Sequence, residues 1–127
     1  VPENEHSLSV AFTISLDAKA CQSSGISSQD RATTLQQLSL ANASLADFEF
    51  PGHIFPLKAR PGLLHERKGH TEASVWLLQK AGLKEVGVLC ETLDEKGESA
   101  KKDYLENLSA QFDIPMIDIE TIERIGD

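Results

Sequence analysis

The sequence predicts an α+β domain, a mixed β-sheet flanked by helices. Three observations predict it. Leu8, Val10, Phe12, Ile14 and Leu16 alternate with Ser9, Ala11, Thr13, Ser15 and Asp17, the period-two pattern of a strand with one buried face. Apolar residues recur at helical spacing in three stretches, near 29–40, 71–83 and 101–112. Between the second and third of these, Glu85-Val86-Gly87-Val88-Leu89-Cys90 reads as a buried strand.

Taken in order, residues 1–7 are polar and irregular, and the first strand follows. Lys19 to Ser28 is rich in Ser and Gly and reads as a loop. Within it Gln22-Ser23-Ser24-Gly25 is either an ordinary turn or a set of hydroxyls and backbone N–H groups for a ligand. Ser28 can cap a helix from Gln29 to about Leu40, with Ala32, Leu35 and Leu38 inward. Asp30 and Arg31 in its first turn read as a structural ion pair. Leu45 and Phe48 anchor the next connection. Pro51-Gly52-His53 enters an edge or irregular strand, because Pro56 cannot donate to a ladder. Gly52 permits an unusual backbone angle that aims His53 into a cleft. A helix from Thr71 carries Ala73, Trp76, Leu77, Leu78 and Ala81, and ends near Leu83 after Gly82. Asp94 to Lys102 is a charged turn. The helix to Phe112 places Tyr104, Leu105, Leu108 and Phe112 inward. Pro115 introduces a last strand, Met116 to Ile119, and a short helix follows with Ile122 and Ile125.

The stretch from Arg67 to Ala73 concentrates the chemistry. Gly69 stands just before a helix N-terminus, where free N–H groups and the positive end of the dipole suit an anion. Arg67 adds a forked, charged donor that fits phosphate. His70 adds a metal ligand or proton carrier. The plainer reading is a Thr71 cap among solvated charges; the cluster as a whole reads as an anion site.

Composition sets bounds. The 127 residues suit one domain, of a length that buries roughly two-thirds of its unfolded surface. Apolar residues at 40% and charged residues at 25% indicate a globular chain. A net charge of −8 argues against a nucleic-acid or anionic-membrane partner, though not against a phosphate in a local pocket. Cys21 and Cys90 lack the spacing of a disulfide framework or zinc site, and Cys90 reads as a buried, reduced thiol. There is no signal peptide and no long apolar run, so the expected location is cytoplasmic.

Several blocks in this order resemble a known family. They are Phe12-Thr13-Ile14-Ser15-Leu16-Asp17, Gly25-Ile26-Ser27 with Asp30-Arg31-Ala32-Thr33-Thr34, Pro51 to Leu57, Arg67 to Ala73 and Val86 to Glu91. Together they resemble 3,4-dihydroxy-2-butanone 4-phosphate synthase, a lyase of riboflavin biosynthesis, from about Val1 to Ile119. The resemblance implies the fold of that enzyme. It also implies conversion of D-ribulose 5-phosphate to L-3,4-dihydroxy-2-butanone 4-phosphate and formate. It assigns His53 and Glu91 to catalysis. Arg67, Lys68, Gly69, His70, Thr71, Ser23 and Ser24 would hold substrate. His70 would ligate Mg2+ or Mn2+. Lys68 stands where the family usually has a second Gly, Ser23 and Ser24 where it commonly has two Thr, and Ser99-Ala100-Lys101 where it usually has Met-Ala-Arg.

The family's acidic Arg-Glu-Asn-Glu-Gly-Asp type loop has no counterpart after Val1-Pro2-Glu3-Asn4. Residues 1–127 are therefore expected to be the C-terminal two-thirds of a synthase domain. A homodimer is expected, and a fused GTP cyclohydrolase II domain would fit the family's habits. A catalytically silent phosphosugar-binding or subunit-pairing homologue is the alternative. A metal hydrolase built on His53, His70 and Glu72 is a third reading. It is the weakest, because His70 and Glu72, two apart, point to different sides of a helix.

Overall fold

The computed structural model describes residues 10–126. The expected long first strand is two short ones, β1 (Ala11–Phe12) and β2 (Leu16–Ala18); the expected positions Leu8 and Ser9 lie outside the described residues. β3 (Phe48–Ile54) pairs antiparallel with β2, and β4 (Leu57–Lys58) pairs antiparallel with β1. Among the described residues four α-helices complete the α+β plan: α1 (Ser28–Leu38), α2 (His70–Lys80), α3 (Lys102–Phe112) and α4 (Ile119–Gly126).

The chain breaks the alternation where the site is built. Leu16, Asp17 and Ala18 are all buried, so two faces of β2 are covered. The β2–β3 register jumps at the same place: Leu16 opposes Ile54, whereas Asp17 opposes Glu49. The residues between, from Phe50 to His53, bulge out of the ladder and bring His53 over Asp17. Gly52 is needed here for space. A Cβ on it would lie 2.1 Å from the Leu16 carbonyl carbon and 2.3 Å from the Asp17 nitrogen. The unusual backbone angle expected of Gly52 is not there; positive φ falls at Gly25, Gly82 and Gly97 among the described glycines.

The cap of α1 is Ser27, one residue before the expected Ser28, and its Oγ accepts from the Asp30 N–H at 3.0 Å. The helix buries Asp30 and Thr34 most deeply, while Ala32, Leu35 and Leu38 are half-buried. Thr34 Oγ1 accepts from the Ala18 N–H at 2.9 Å and fastens α1 to β2. Asp30 does not pair with Arg31; it serves the preceding loop.

The core is two small clusters. Leu16, Ala18 and Phe48 form one, with Cys21, Leu38, Ala43 and Ile54 against them. Leu64, Ala73 and Ile122 form the other, joined by Trp76 and Ile119, so α2 packs on α4. Phe48 anchors as expected, but Leu45 is exposed.

Two expected strands are not formed. Residues 85–90 and 116–118 have no ladder partners, Ile119, expected to end the second strand, instead opens α4, and Val86, Val88, Leu89, Met116 and Ile117 are exposed. A strand is completed by a neighbour's hydrogen bonds, and neither segment joins a sheet among the described residues. Cys90, expected to be buried, is exposed for the same reason. α3 keeps its length but leaves Phe112 exposed, and Ile125 of α4 is likewise exposed. The accessible surface is 9417 Å². A folded monomer of this mass exposes roughly 6,700 Å².

Candidate active site

The bulge places an imidazole on a carboxylate. His53 Nδ1 lies 2.6 Å from Asp17 Oδ2, and the His53 backbone N–H donates to Asp17 Oδ1 at 2.9 Å. The Asp17 side chain is 12% exposed and that of His53 39%. With Asp17 on Nδ1, the neutral ring carries its proton there and leaves the Nε2 lone pair for other work. A buried acceptor that fixes the ring in this way is what a general base needs.

Gly25 closes over this pair. It is buried with φ +91°, a conformation glycine adopts without strain. A Cβ there would lie 2.1 Å from Asp17 Oδ2 and 2.9 Å from His53 Nδ1. The loop leading to it is gathered on Asp30, whose carboxylate accepts from the Gln22 N–H at 2.9 Å, from the Ser23 hydroxyl and from the Gly25 N–H at 3.3 Å. The Ser23 hydroxyl foremost, then the Gln22 N–H, lowers the Asp30 carboxyl from 3.8 to about 2. Ser23 is thus committed to Asp30, and Ser24 is exposed on the loop.

His53 opens into a cleft of about 640 Å³. Thr71 and Ser74 of α2, Arg31 of α1 and residues 85–90 also line it. A second cleft, of about 620 Å³, lies across α2 and is lined by His70, Asp118 and Glu120 among others. Ser74 and Leu89 border both. The structure therefore brings Thr71 toward His53 and sends His70 to the other side, as neighbours on a helix must go.

The Arg67 cluster is arranged differently from expectation. α2 begins at His70 with Gly69 as its cap residue, so Thr71 is inside the first turn and buried. Arg67 Nη1 lies 2.5 Å from Glu72 Oε2, and the Arg60 N–H donates to Glu72 Oε1 at 3.0 Å. Glu72 is 1% exposed. Burial pushes its carboxyl up, but the Arg60 N–H and the Arg67 guanidinium outweigh this and hold it below the usual range. A Cβ on Gly69 would lie 1.9 Å from Arg67 Nη1, so a side chain there would displace the guanidinium from its place beside Glu72. Lys68 Nζ pairs with Glu123 at 2.7 Å and ties the loop to α4. Glu91 is exposed, accepts from Ser99 Oγ at 2.6 Å and lines neither cleft.

Sequence reasoning missed the roles of Asp17, Asp30 and Glu72. Asp17 ends the alternating run at a position a regular strand would turn to solvent, and only the bulge buries it. Asp30 and Glu72 carried one usable signal. Each is an acid in the first turn of a helix that follows a glycine-bearing loop, where loop N–H groups need an acceptor.

An α+β scaffold that holds a carboxylate-oriented imidazole beside a helix start has the geometry that proton transfer requires. The chain belongs to the 3,4-dihydroxy-2-butanone 4-phosphate synthase family, whose model matches residues 1–125. It is 46% identical over 122 residues to the bifunctional riboflavin biosynthesis protein RIBA 1, chloroplastic, of Arabidopsis thaliana, covering 96% of this chain and 22% of that protein. It superposes on the crystal structure of the Candida albicans synthase with a TM-score of 0.87 and 40% identity, covering 93% of this chain and 61% of that one. A synthase solved in complex with two magnesium ions is 29% identical with a TM-score of 0.77, over 94% of this chain and 61% of that one. The chain thus spans less than two-thirds of each, 22% of the first and 61% of the other two.

Magnesium prefers an octahedron of oxygens. Among the described residues no three His, Cys, Asp or Glu side chains gather as a metal site. His70 offers one nitrogen, and Glu72 is occupied by Arg67 and the Arg60 N–H. The described residues do not form a shell for the ion, and the third reading, a metal hydrolase on His53, His70 and Glu72, has no assembled site.

Proposed function

We propose that this chain is the part of a ribulose 5-phosphate lyase that carries its proton-transfer histidine, in the riboflavin pathway of its family. The Asp17–His53 pair carries the reading. Conversion of ribulose 5-phosphate to a four-carbon phosphate and formate begins by removing a proton from a carbon next to a carbonyl. Nε2 of His53 accepts that proton, and the Asp17 carboxylate on Nδ1 stabilises the imidazolium that forms. The same nitrogen returns the proton in a later step.

Thr71 and the α2 N-terminus suit the phosphate end of the sugar. The family resemblance assigns Arg67, Lys68, Gly69, His70, Ser23 and Ser24 to holding substrate with Thr71, and Glu91 to a second acid–base role, although here His70 faces the second cleft, Ser23 is bonded to Asp30 and Glu91 lines neither cleft. Glu72 then orients Arg67. Any divalent cation, Mg2+ or Mn2+, takes most of its oxygen ligands from outside the described residues, with His70 as this chain's contribution. The magnesium complex of a solved relative supports that expectation. The exposed apolar segments 85–90 and 114–118 support pairing with a second copy. The bifunctional relative supports a fused second domain in a longer protein.

Formate release from ribulose 5-phosphate tests the reading. It should appear when the chain is joined to a family-type N-terminal segment bearing the acidic loop, and Glu91→Gln should nearly abolish it. Phosphosugar binding without turnover in the joined protein would refute the lyase reading and leave the silent homologue.

A further inference from the structure

We propose that Asp30 is a positioning residue for His53: by gathering the loop 22–25 it holds Gly25 against the Asp17 carboxylate and so fixes which ring nitrogen faces the cleft. The proposal rests on the reading of His53 as proton carrier.

Asp30 itself touches neither His53 nor the cleft. Its carboxylate is buried and meets three donors from the loop, Gln22 N–H, Ser23 Oγ–H and Gly25 N–H. Those three contacts turn the loop back on the start of α1. The last of them sets Gly25 where its missing side chain would overlap Asp17 Oδ2. The Asp17 carboxylate is then confined on two sides, by the His53 N–H on Oδ1 and by the Gly25 backbone beside Oδ2. It cannot rotate off Nδ1 without pushing the loop away. The frame is shared, because Thr34, one turn along α1 from Asp30, accepts from the N–H of Ala18, next to Asp17. Asp30 and Asp17 therefore hold their spacing through α1 and β2, and the loop spans the gap between them.

Asp30→Asn replaces one acceptor oxygen with an NH2 group that faces the same donors. The loop must lift, Asp17 gains freedom, and the neutral ring can move its proton to Nε2. The readout is the ring tautomer of His53, from two-bond 1H–15N spectra of the 15N-histidine-labelled chain in mildly alkaline buffer. The wild-type ring should be mainly Nδ1–H. Asp30→Asn should raise the Nε2–H form several-fold while the Ala18 amide stays protected from exchange. Ser23→Ala, at an exposed position, removes one donor and should shift the ratio the same way by less. That variant decides the matter if Asp30→Asn does not fold. An unchanged tautomer ratio in the folded variants would overturn the positioning role. A wild-type ring already in the Nε2–H form would overturn the reading of His53 as base, a separate failure.

Discussion

Replacing Glu72 by Ala should cost about 3–5 kcal/mol of stability, the range for breaking a buried ion pair. The side chain is 2% exposed, and its two oxygens accept from the Arg60 N–H at 3.0 Å and the Arg67 guanidinium at 2.5 Å. A hydrogen bond involving a charged group contributes about 1.5–3 kcal/mol, and an orphaned buried N–H costs a further 1–3 kcal/mol or so. The Arg67 side chain is 20% exposed and can turn partly to water, which places the expectation near the lower end of the range. Urea unfolding at neutral pH measures it. With a slope of about 1–3 kcal/mol/M, the midpoint should fall by about 1–3 M at unchanged slope. The pH dependence gives a second check. The folded-state pKa of Glu72 is lowered, so its contribution is fully present above the ordinary value of 4.5 and is lost as pH falls through the folded value. The gap between wild type and Glu72→Gln should therefore close in acid. A loss below about 1 kcal/mol at neutral pH, typical of an exposed ion pair, would refute the buried-clamp account.

Three further outcomes are expected. Stability should be fully present above pH 3.8 with respect to Asp30 and fall as pH drops toward about 2; in denaturant midpoints against pH, Asp30→Asn should lack that slope. Gly52→Ala should lower stability by about 1–3 kcal/mol in urea unfolding, because the new methyl meets the Leu16 and Asp17 backbone at 2.1 and 2.3 Å. In sedimentation the chain should run as a dimer at micromolar concentration, and Val88→Glu, on the exposed segment, should return it to monomer; dimer persisting in that variant would place the interface elsewhere.

The helices were legible in the sequence because their signals are local. Period, a capping Ser before α1 and Gly82 after α2 locate them within a few residues. Strands were less legible. The strand expected after Pro51-Gly52-His53, over residues 54–59, is observed earlier as Phe48–Ile54, starting inside the stretch read as a connection, whereas residues 85–90 carry the apolar run of a buried strand and have no ladder. Of the site, His53 was singled out by the family resemblance, and the backbone angle expected of Gly52 is not what places it. Its partner Asp17 was not legible, because the alternation of residues 8–17 gives no sign of the bulge between Leu16 and Asp17. Arg67 was read as a phosphate anchor from its charge, and its guanidinium donates to the buried Glu72 five residues on. The metal-hydrolase reading grouped His70 with His53, whereas the structure places them on different clefts.

The central claim is that His53, oriented by Asp17, moves a substrate proton. Its most direct test is solvent deuterium exchange into ribulose 5-phosphate, followed by NMR at the carbon next to the carbonyl. The chain joined to a family-type acidic segment is the protein to use. Wild type should exchange that proton, His53→Ala should not, and Asp17→Asn should exchange it at an intermediate rate while binding the phosphosugar as wild type does. Exchange that proceeds undiminished in His53→Ala would contradict the account.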